Sequence, residues 1–531
     1  MSASATSPGA TPVAAPAPSP WLFGRTVDVL LGYGLAYVLS IPLIVALVGS
    51  DRLGDGPVWG GAALALVFST PHYGATLMRV YARPQDRQRY ALFTVWITLG
   101  LLALFGAGLF SPIVGSLLLT AYVTWSPWHF SGQNYGLSVM YLRRRRIAFD
   151  DATKRDLYVS YVLSAILAIL AIHLAGSQLV FANGASDDSG IFGVVQLGLP
   201  LPLARALTAG LGLAYLFFLL RVARALLRES PAGALVPVLL LVGTQALWFA
   251  VPGLAATLVA RDLPASLALP LSAVWISTAH AIQYLWVTAY YTKHTGEAPR
   301  TSRFLFRSLV AGAFLSLPIF LFLPNLGGRF VPNAAGVAVL VFSVVNLHHF
   351  ILDGAIWKLR DGKVARALLR SGADDAPVGG GGRRWLAGSI AAIGLACVLA
   401  QGYALWLSHL AGAPDTPYPI LRAATHDLAR VGQASPELWA RLGKRAEAEG
   451  QTDVAIRSYR RAVRDMSQPP AWVADRLAWL LIGERADEPR SVAQAQRLAD
   501  YVTRALGPDR AEGYQTLAAA HAPTHPPQPV P

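Results

Sequence analysis

Apolar runs of about 20 residues, the length a helix needs to cross a bilayer core, follow one another through most of this 531-residue sequence. No other feature narrows the fold as far. Backbone amides in hydrocarbon find no water, so each run has to be a continuous helix. Runs near 27–48, 58–78, 91–110, 113–137, 158–180, 206–220, 235–251, 267–290, 304–323, 334–351 and 385–407 predict about eleven transmembrane helices in an all-α polytopic bundle. A hydrophobic share of 54% against 14% charged residues, with mean hydropathy +0.44, excludes an ordinary water-soluble domain.

Residues 1–20 are rich in Ala, Pro, Ser and Thr, hold no apolar run and read as a disordered tail. The first run begins near Val27 and many more follow, so it reads as an uncleaved first span. Basic loops at 79–89, 143–155, 221–228, 293–303 and 358–370 alternate with weakly charged ones such as 183–190 and 324–333. All the basic loops fall on one side if the N-terminus is cytoplasmic, in a bacterial inner membrane. The odd span count then puts everything after residue 407 outside. The net charge of +14 sits largely in these loops, as in the run Arg143, Arg144, Arg145 and Arg146, so the expected partner is the lipid bilayer and not a nucleic acid. A single cysteine, Cys397, excludes an intrachain disulfide, an iron–sulfur cluster and a thiolate zinc cage.

Beyond the spans (21–410) and a linker at 411–434, residues 435–522 turn charged, alanine-rich and helical in period. Trp439, Leu442, Gly443, Ala455, Tyr459 and Ala462 match the spacing of a tetratricopeptide (TPR) repeat, with Pro469 near the expected terminator. A variant unit runs from Leu477 through Ala495 and Leu498 to Pro508, and Tyr514, Leu517 and Ala518 begin a third. Such a TPR-like domain predicts a surface for a protein partner, or else a packed helical cap on the membrane part. Residues 523–531 form a Pro-rich tail.

Histidines interrupt four of the apolar runs. His72 lies seven residues before Arg79, His349 nine before Lys358, His280 thirteen before Lys293 and His129 fourteen before Arg143. At 1.5 Å per residue all four sit roughly 10–21 Å from the cytoplasmic charges, on helices that run in the same direction. Equal depth lets them converge inside one bundle, where metal and cofactor sites are built. One turn after each comes a polar residue: Thr76, Gln133, Gln283 with Tyr284, and Asp353, while Asn346 lies one turn before His349. Metal-bound imidazoles give their outer N–H to such groups. The expectation is therefore a metal held by His72, His129, His280 and His349, with His348 beside it. Gln133, Gln283, Tyr284, Asn346 and Asp353 would support them, each on its own helix. Pro71 and Pro127 would open the helix just before His72 and His129.

Each histidine also has a plainer reading, since a lone intramembrane histidine usually bonds to a neighbouring helix. His173, without polar neighbours, is read that way. His294, His409, His426, His521 and His525 fall in loops, interfaces or the tail. Asp28 near Arg25 reads as a packing ion pair. Trp125, Trp128, Trp275, Trp286 and Trp357 read as an interfacial belt or core, with an apolar substrate cleft as the alternative.

Nitrogen ligands without a thiolate suit iron, copper or zinc and argue against calcium or magnesium. Burial in lipid favours a lipid-soluble substrate, which makes a non-haem iron oxidoreductase using dioxygen the leading expectation. His72, His129, His280 and His348/His349 resemble the histidine set of the bacteriorhodopsin-related β-carotene dioxygenases, and more distantly that of the fatty-acid desaturases and hydroxylases. Both resemblances imply histidine-held iron. The desaturase boxes pair histidines three to five residues apart, and their absence here points to a mononuclear centre. The phrases Thr70-Pro71-His72-Tyr73, Trp128-His129-Phe130, His280-Ala281-Ile282-Gln283-Tyr284 and His348-His349-Phe350 also resemble a bacterial polytopic membrane family with C-terminal TPR-like repeats, which implies no activity. Three rivals stand. One is haem b with His129 and His280 as axial ligands in an electron-transfer protein. Another is a lipid-linked glycosyltransferase using Asp51 and Asp55 of the first outer loop. The last is a transporter or proton relay.

Overall fold

In the computed structural model, the described residues are 19–48, 61–81, 84–174, 192–259, 272–295, 300–319, 336–357, 362–369 and 384–506 (without 414, 432 and 465–469). They form an all-helical protein without named strands, with one isolated bridge between Leu174 and Leu199. The helices used below are α1 (Leu35–Val48), α2 (Thr70–Tyr81), α3 (Thr98–Phe110), α4 (Pro112–Arg144), α5 (Asp151–Ile172), α6 (Leu201–Glu229), α7 (Ala232–Gln245), α8 (Ala273–His294), α9 (Thr301–Ala313), α10 (Val337–Ile356), α11 (Gly362–Leu369) and α12 (Arg384–Gly412). A soluble-type group follows: α13 (Tyr418–Arg430), α14 (Pro436–Ala448), α15 (Thr452–Arg464), α16 (Ala471–Glu484) and α17 (Pro489–Leu506).

Among the described residues seven helices are long and apolar enough to cross a membrane, or eight if Arg25–Gly32 and Leu35–Leu47, bent by 58°, form one span. The shortfall against eleven has a physical cause. The helices carrying His72, His129 and His280 do not pass, and of the four histidine helices only α10 does. α4 and α8 are long enough to span, but they carry the polar side chains of the bundle interior. The outer helices are the reverse. Leu92–Phe110 and Leu201–Glu229 are only 17% buried and display side chains such as Trp96 and Leu213 outward, an apolar surface suited to hydrocarbon.

Local chemistry sets the helix ends. Ser111 caps α4 by accepting from the Val114 N–H, with Pro112 at the first helical position where its missing N–H costs nothing. α5 ends at Ile172, so His173 stands at its C-terminal cap and not mid-span as the apolar run implied. Proline does not break the histidine helices. The widened π turn is Ala65–Ser69, just before Pro71, where the Thr70 hydroxyl donates to the Ala65 carbonyl. α4 runs unbroken through Pro127. α2 and α9 pack backbone to backbone: a Cβ on Gly74 would lie 1.8 Å from the Ser308 carbonyl oxygen, and one on Gly312 1.8 Å from that of Thr70. That contact fixes the helix bearing His72.

Two charged residues differ from expectation. Asp28 is fully buried and makes no ion pair with Arg25; it accepts from the Leu22 and Phe23 amides and from Trp286 Nε1. Arg144, within the basic run, is also buried, and it donates to the carbonyls of Ser19, Trp21 and Leu368, tying the N-terminal segment and α11 to the end of α4. Residues 411–434 are more than a linker, since α13 buries Leu421, Ala424 and Leu428 in one core with Ala404, Leu407 and Ala411 of α12. That core continues through Trp439, Leu442, Ala455, Tyr459 and Ala462. A Cβ on Gly443 would meet the Tyr459 ring at 2.7 Å, so α14 and α15 form a tight hairpin. Pro469, Pro508, Tyr514, Leu517 and Ala518 lie outside the described residues.

Candidate metal centre

Four imidazoles, one each from α2, α4, α8 and α10, meet in the bundle. Ring centroids are 4.1 Å apart for His72 and His349, and 5.1 Å for His349 and His129. They are 5.1 Å apart for His129 and His280, and 5.0 Å for His280 and His72, which closes the ring. His72, His280 and His349 are almost wholly buried, and the His129 side chain is 10% exposed. Nε2 of His72, of His129 and of His349, and both nitrogens of His280, are buried without a hydrogen-bond partner. Orphaned buried nitrogens are costly, and here one nitrogen from each of His72, His280 and His349 lies within 4.8 Å of the others.

Asp353 completes the cluster. Its Oδ2 lies 3.3 Å from His349 Nε2 and 3.9 Å from His129 Nε2. Its Oδ1 accepts from the Tyr284 hydroxyl at 2.9 Å and the Thr76 hydroxyl at 3.1 Å, and Trp357 Nε1 donates to the Tyr284 oxygen. The carboxylate, the strongest acceptor present, claims the Thr76 proton. Thr76 Oγ1 is then left to accept from His349 Nδ1, 2.9 Å away. With Nδ1 as its protonated atom, His349 presents the Nε2 lone pair to a carboxylate oxygen. Nε2 and Oδ2, 3.3 Å apart, then need a proton or a metal ion between them.

Two sets of potential ligands follow, each with its atoms within 4.8 Å of one another: His72, His280 and His349, and His129, His349 and Asp353. They share His349. An imidazole nitrogen has one lone pair, so the sets describe one centre and not two.

The supporting residues differ from the expected same-helix pairs. Gln133 does not serve His129; its amide donates to the His280 carbonyl and to Gln283 Oε1, so the two glutamines brace each other. Asn346 accepts from the Tyr73 hydroxyl and donates to the Phe342 carbonyl. Asp353, expected as an outer partner, faces the centre itself, while Thr76 serves His349 from another helix. His348 points away, with Nε2 2.9 Å from Thr98 Oγ1 and 3.2 Å from the Tyr81 hydroxyl. His173 is structural: Leu197 N–H donates to its Nδ1, and its Nε2 lies 2.9 Å from Thr124 Oγ1. Asp51 and Asp55 lie outside the described residues.

Aromatic rings seal the cluster. Phe130 stacks on His280 with centroids 4.1 Å apart, and Phe350 on His129 at 4.2 Å. Both were legible as the residues following a histidine, but their role depends on which ring each covers. A cleft of about 320 Å³ opens beside His129 and Asp353. Trp125, Trp128 and Trp357 line it, whereas Trp275 and Trp286 pack in the core. No family model, curated protein or solved structure matches the chain, so the reading of this centre rests on its own geometry.

Proposed function

We propose that this chain is an integral membrane metalloprotein holding one transition-metal ion, iron foremost, through His72, His129, His280, His349 and Asp353. On this reading it is an oxidoreductase acting on a lipid-soluble substrate. The observation that carries the proposal is the gathering of four imidazoles, each with a buried partnerless nitrogen, and a carboxylate oxygen in the bundle interior. Neutral imidazole with one carboxylate and no thiolate suits iron, with zinc and copper as alternatives, and the subset His129, His349 and Asp353 has the two-histidine, one-carboxylate composition of non-haem iron sites. Iron bound there would supply a redox centre able to work with dioxygen. The protein's own part is to orient the ligands through Thr76, Tyr284 and Trp357, and to exclude water with Phe130 and Phe350.

Haem b fits less well. His129 and His280 stand 5.1 Å apart with His72 and His349 closing the ring, which takes the room a flat macrocycle would need. The placement follows the loop charges: a bacterial inner membrane, N-terminus inside, with α14–α17 outside as a TPR-like module for a protein partner.

Elemental analysis of protein purified from cells supplied with iron, zinc, copper and manganese tests the centre. Roughly one iron per chain is expected, lost in His280→Ala. Metal-free, haem-free protein refutes the centre, and a full complement of zinc or copper refutes iron.

A further inference from the structure

The cleft beside the centre has a shape that the metal ligands do not explain. One face of α4 forms its wall at helical spacing, from Trp125 and Trp128 through Gly132 and Gly136 to Met140. Those residues span ~22 Å of helix at 1.5 Å per residue. The cleft, about 320 Å³, is thus drawn out along α4, a shape that suits an extended hydrocarbon chain rather than a compact fused-ring molecule. Trp125 and Trp128, 40% and 44% exposed, stand at one end, while Val364 and Leu368 of α11 close against the other, near buried Met140. The floor is glycine: a Cβ at Gly132, Gly136 or Gly354 would meet nothing within 4 Å, so the absent side chains are what keep the cleft open.

The polar lining is confined to the middle. His129, Gln133, Tyr284 and Asp353 sit there, and among the described residues no Lys or Arg lines the cleft to hold a phosphate or carboxylate headgroup. Gln133 and Tyr284 are engaged with Gln283 and Asp353. His129 Nε2, buried and partnerless, is the group aimed at the site.

We infer that this cleft binds a single unbranched, uncharged alkyl chain of a free lipophile, taken from the bilayer past Trp125 and Trp128 and laid along Gly132 and Gly136 beside His129. The inference rests on the proposed centre for its chemistry, but its binding test is independent of it.

The probe is 1-bromododecane, whose bromine quenches indole fluorescence, added to the full-length protein in phosphatidylcholine nanodiscs. Wild type is expected to show saturable quenching, weakened about tenfold or more in Gly136→Leu and in Gly132→Leu, with metal content unchanged. A bromosterol is expected to give none. Nanodiscs of brominated phosphatidylcholine, which carry the same bromine on a lipid with a headgroup, are expected to give quenching that both glycine variants leave unaltered. Quenching by 1-bromododecane that never saturates, or that both variants retain, overturns the cleft. An equal, glycine-sensitive effect from the sterol overturns the preference for an extended chain, and one from the brominated lipid overturns a free occupant. Absence of metal from wild type refutes the centre; absence of saturable quenching in metal-loaded protein refutes the cleft alone.

Discussion

α4 contributes to two buried polar clusters, and they differ in kind. On one face, Asn134 Nδ2 donates to Gln245 Oε1, while Gln245 Nε2 donates to the hydroxyls of Ser131 and Ser164. Those hydroxyls in turn donate to the carbonyls of Pro127 and Tyr161. Apart from Asn134 Oδ1, every atom in that chain has a partner. On another face of the same helix, His129 joins a cluster in which each imidazole keeps at least one buried nitrogen without a partner. A satisfied network in an apolar interior is glue between helices. A cluster of imidazoles with buried, partnerless nitrogens is a set that could hold a metal. The two lie within two turns of each other, so polarity alone does not distinguish them; hydrogen-bond accounting does.

The largest expected effect is on metal. His349→Ala removes the ligand common to both potential sets, and bound metal should weaken by more than ~100-fold in a chelator competition, with the helical content retained. Retention of the full metal complement would reduce the histidine cluster to the same status as the glutamine one. Gln245→Ala should do the opposite, costing about 3 kcal/mol in denaturant unfolding by stranding Asn134, Ser131 and Ser164, with metal stoichiometry intact. Loss of metal there would merge the two clusters into one unit. Thr76→Val keeps the shape but deletes the hydroxyl that orients His349 and Asp353, and metal affinity should fall ~10–100-fold without a comparable loss of stability. The smallest effect is expected from His348→Ala, about 1 kcal/mol from the lost Thr98 contact and no change in metal. Metal loss there would return His348 to the ligand set.

Much of this was legible along the chain, and the misses follow a pattern. The polar neighbours placed one turn from each histidine are nearly all in the buried cluster, because helical spacing fixes which residues share a face. Their partners were misread. Thr76 was paired with His72 on its own helix and instead serves His349 on α10; Gln133 was paired with His129 and instead braces Gln283 on α8. Gly132 and Gly136 went unnoticed as a cleft floor, although their spacing with Trp128, His129 and Met140 already marked one face of α4. The apolar runs also overstated uniformity: of the four helices lining the centre, only α10 is apolar enough to pass as an ordinary span.

Sequence by itself determined the quantities that depend on distance along one helix: the all-helical apolar class, the positions of His72, His129, His280 and His349 along their helices, and the absence of thiolate ligands. Position along a helix is linear, since each residue adds 1.5 Å of rise. Only the tertiary structure decided the rotation of each helix about its axis. That rotation turns His349 inward and His348 toward Thr98, brings Asp353 Oδ2 to the histidines, and leaves a cleft beside them. Rotation is set by contacts between helices distant in sequence, such as the Gly74–Gly312 backbone approach, and no periodicity within one segment encodes it.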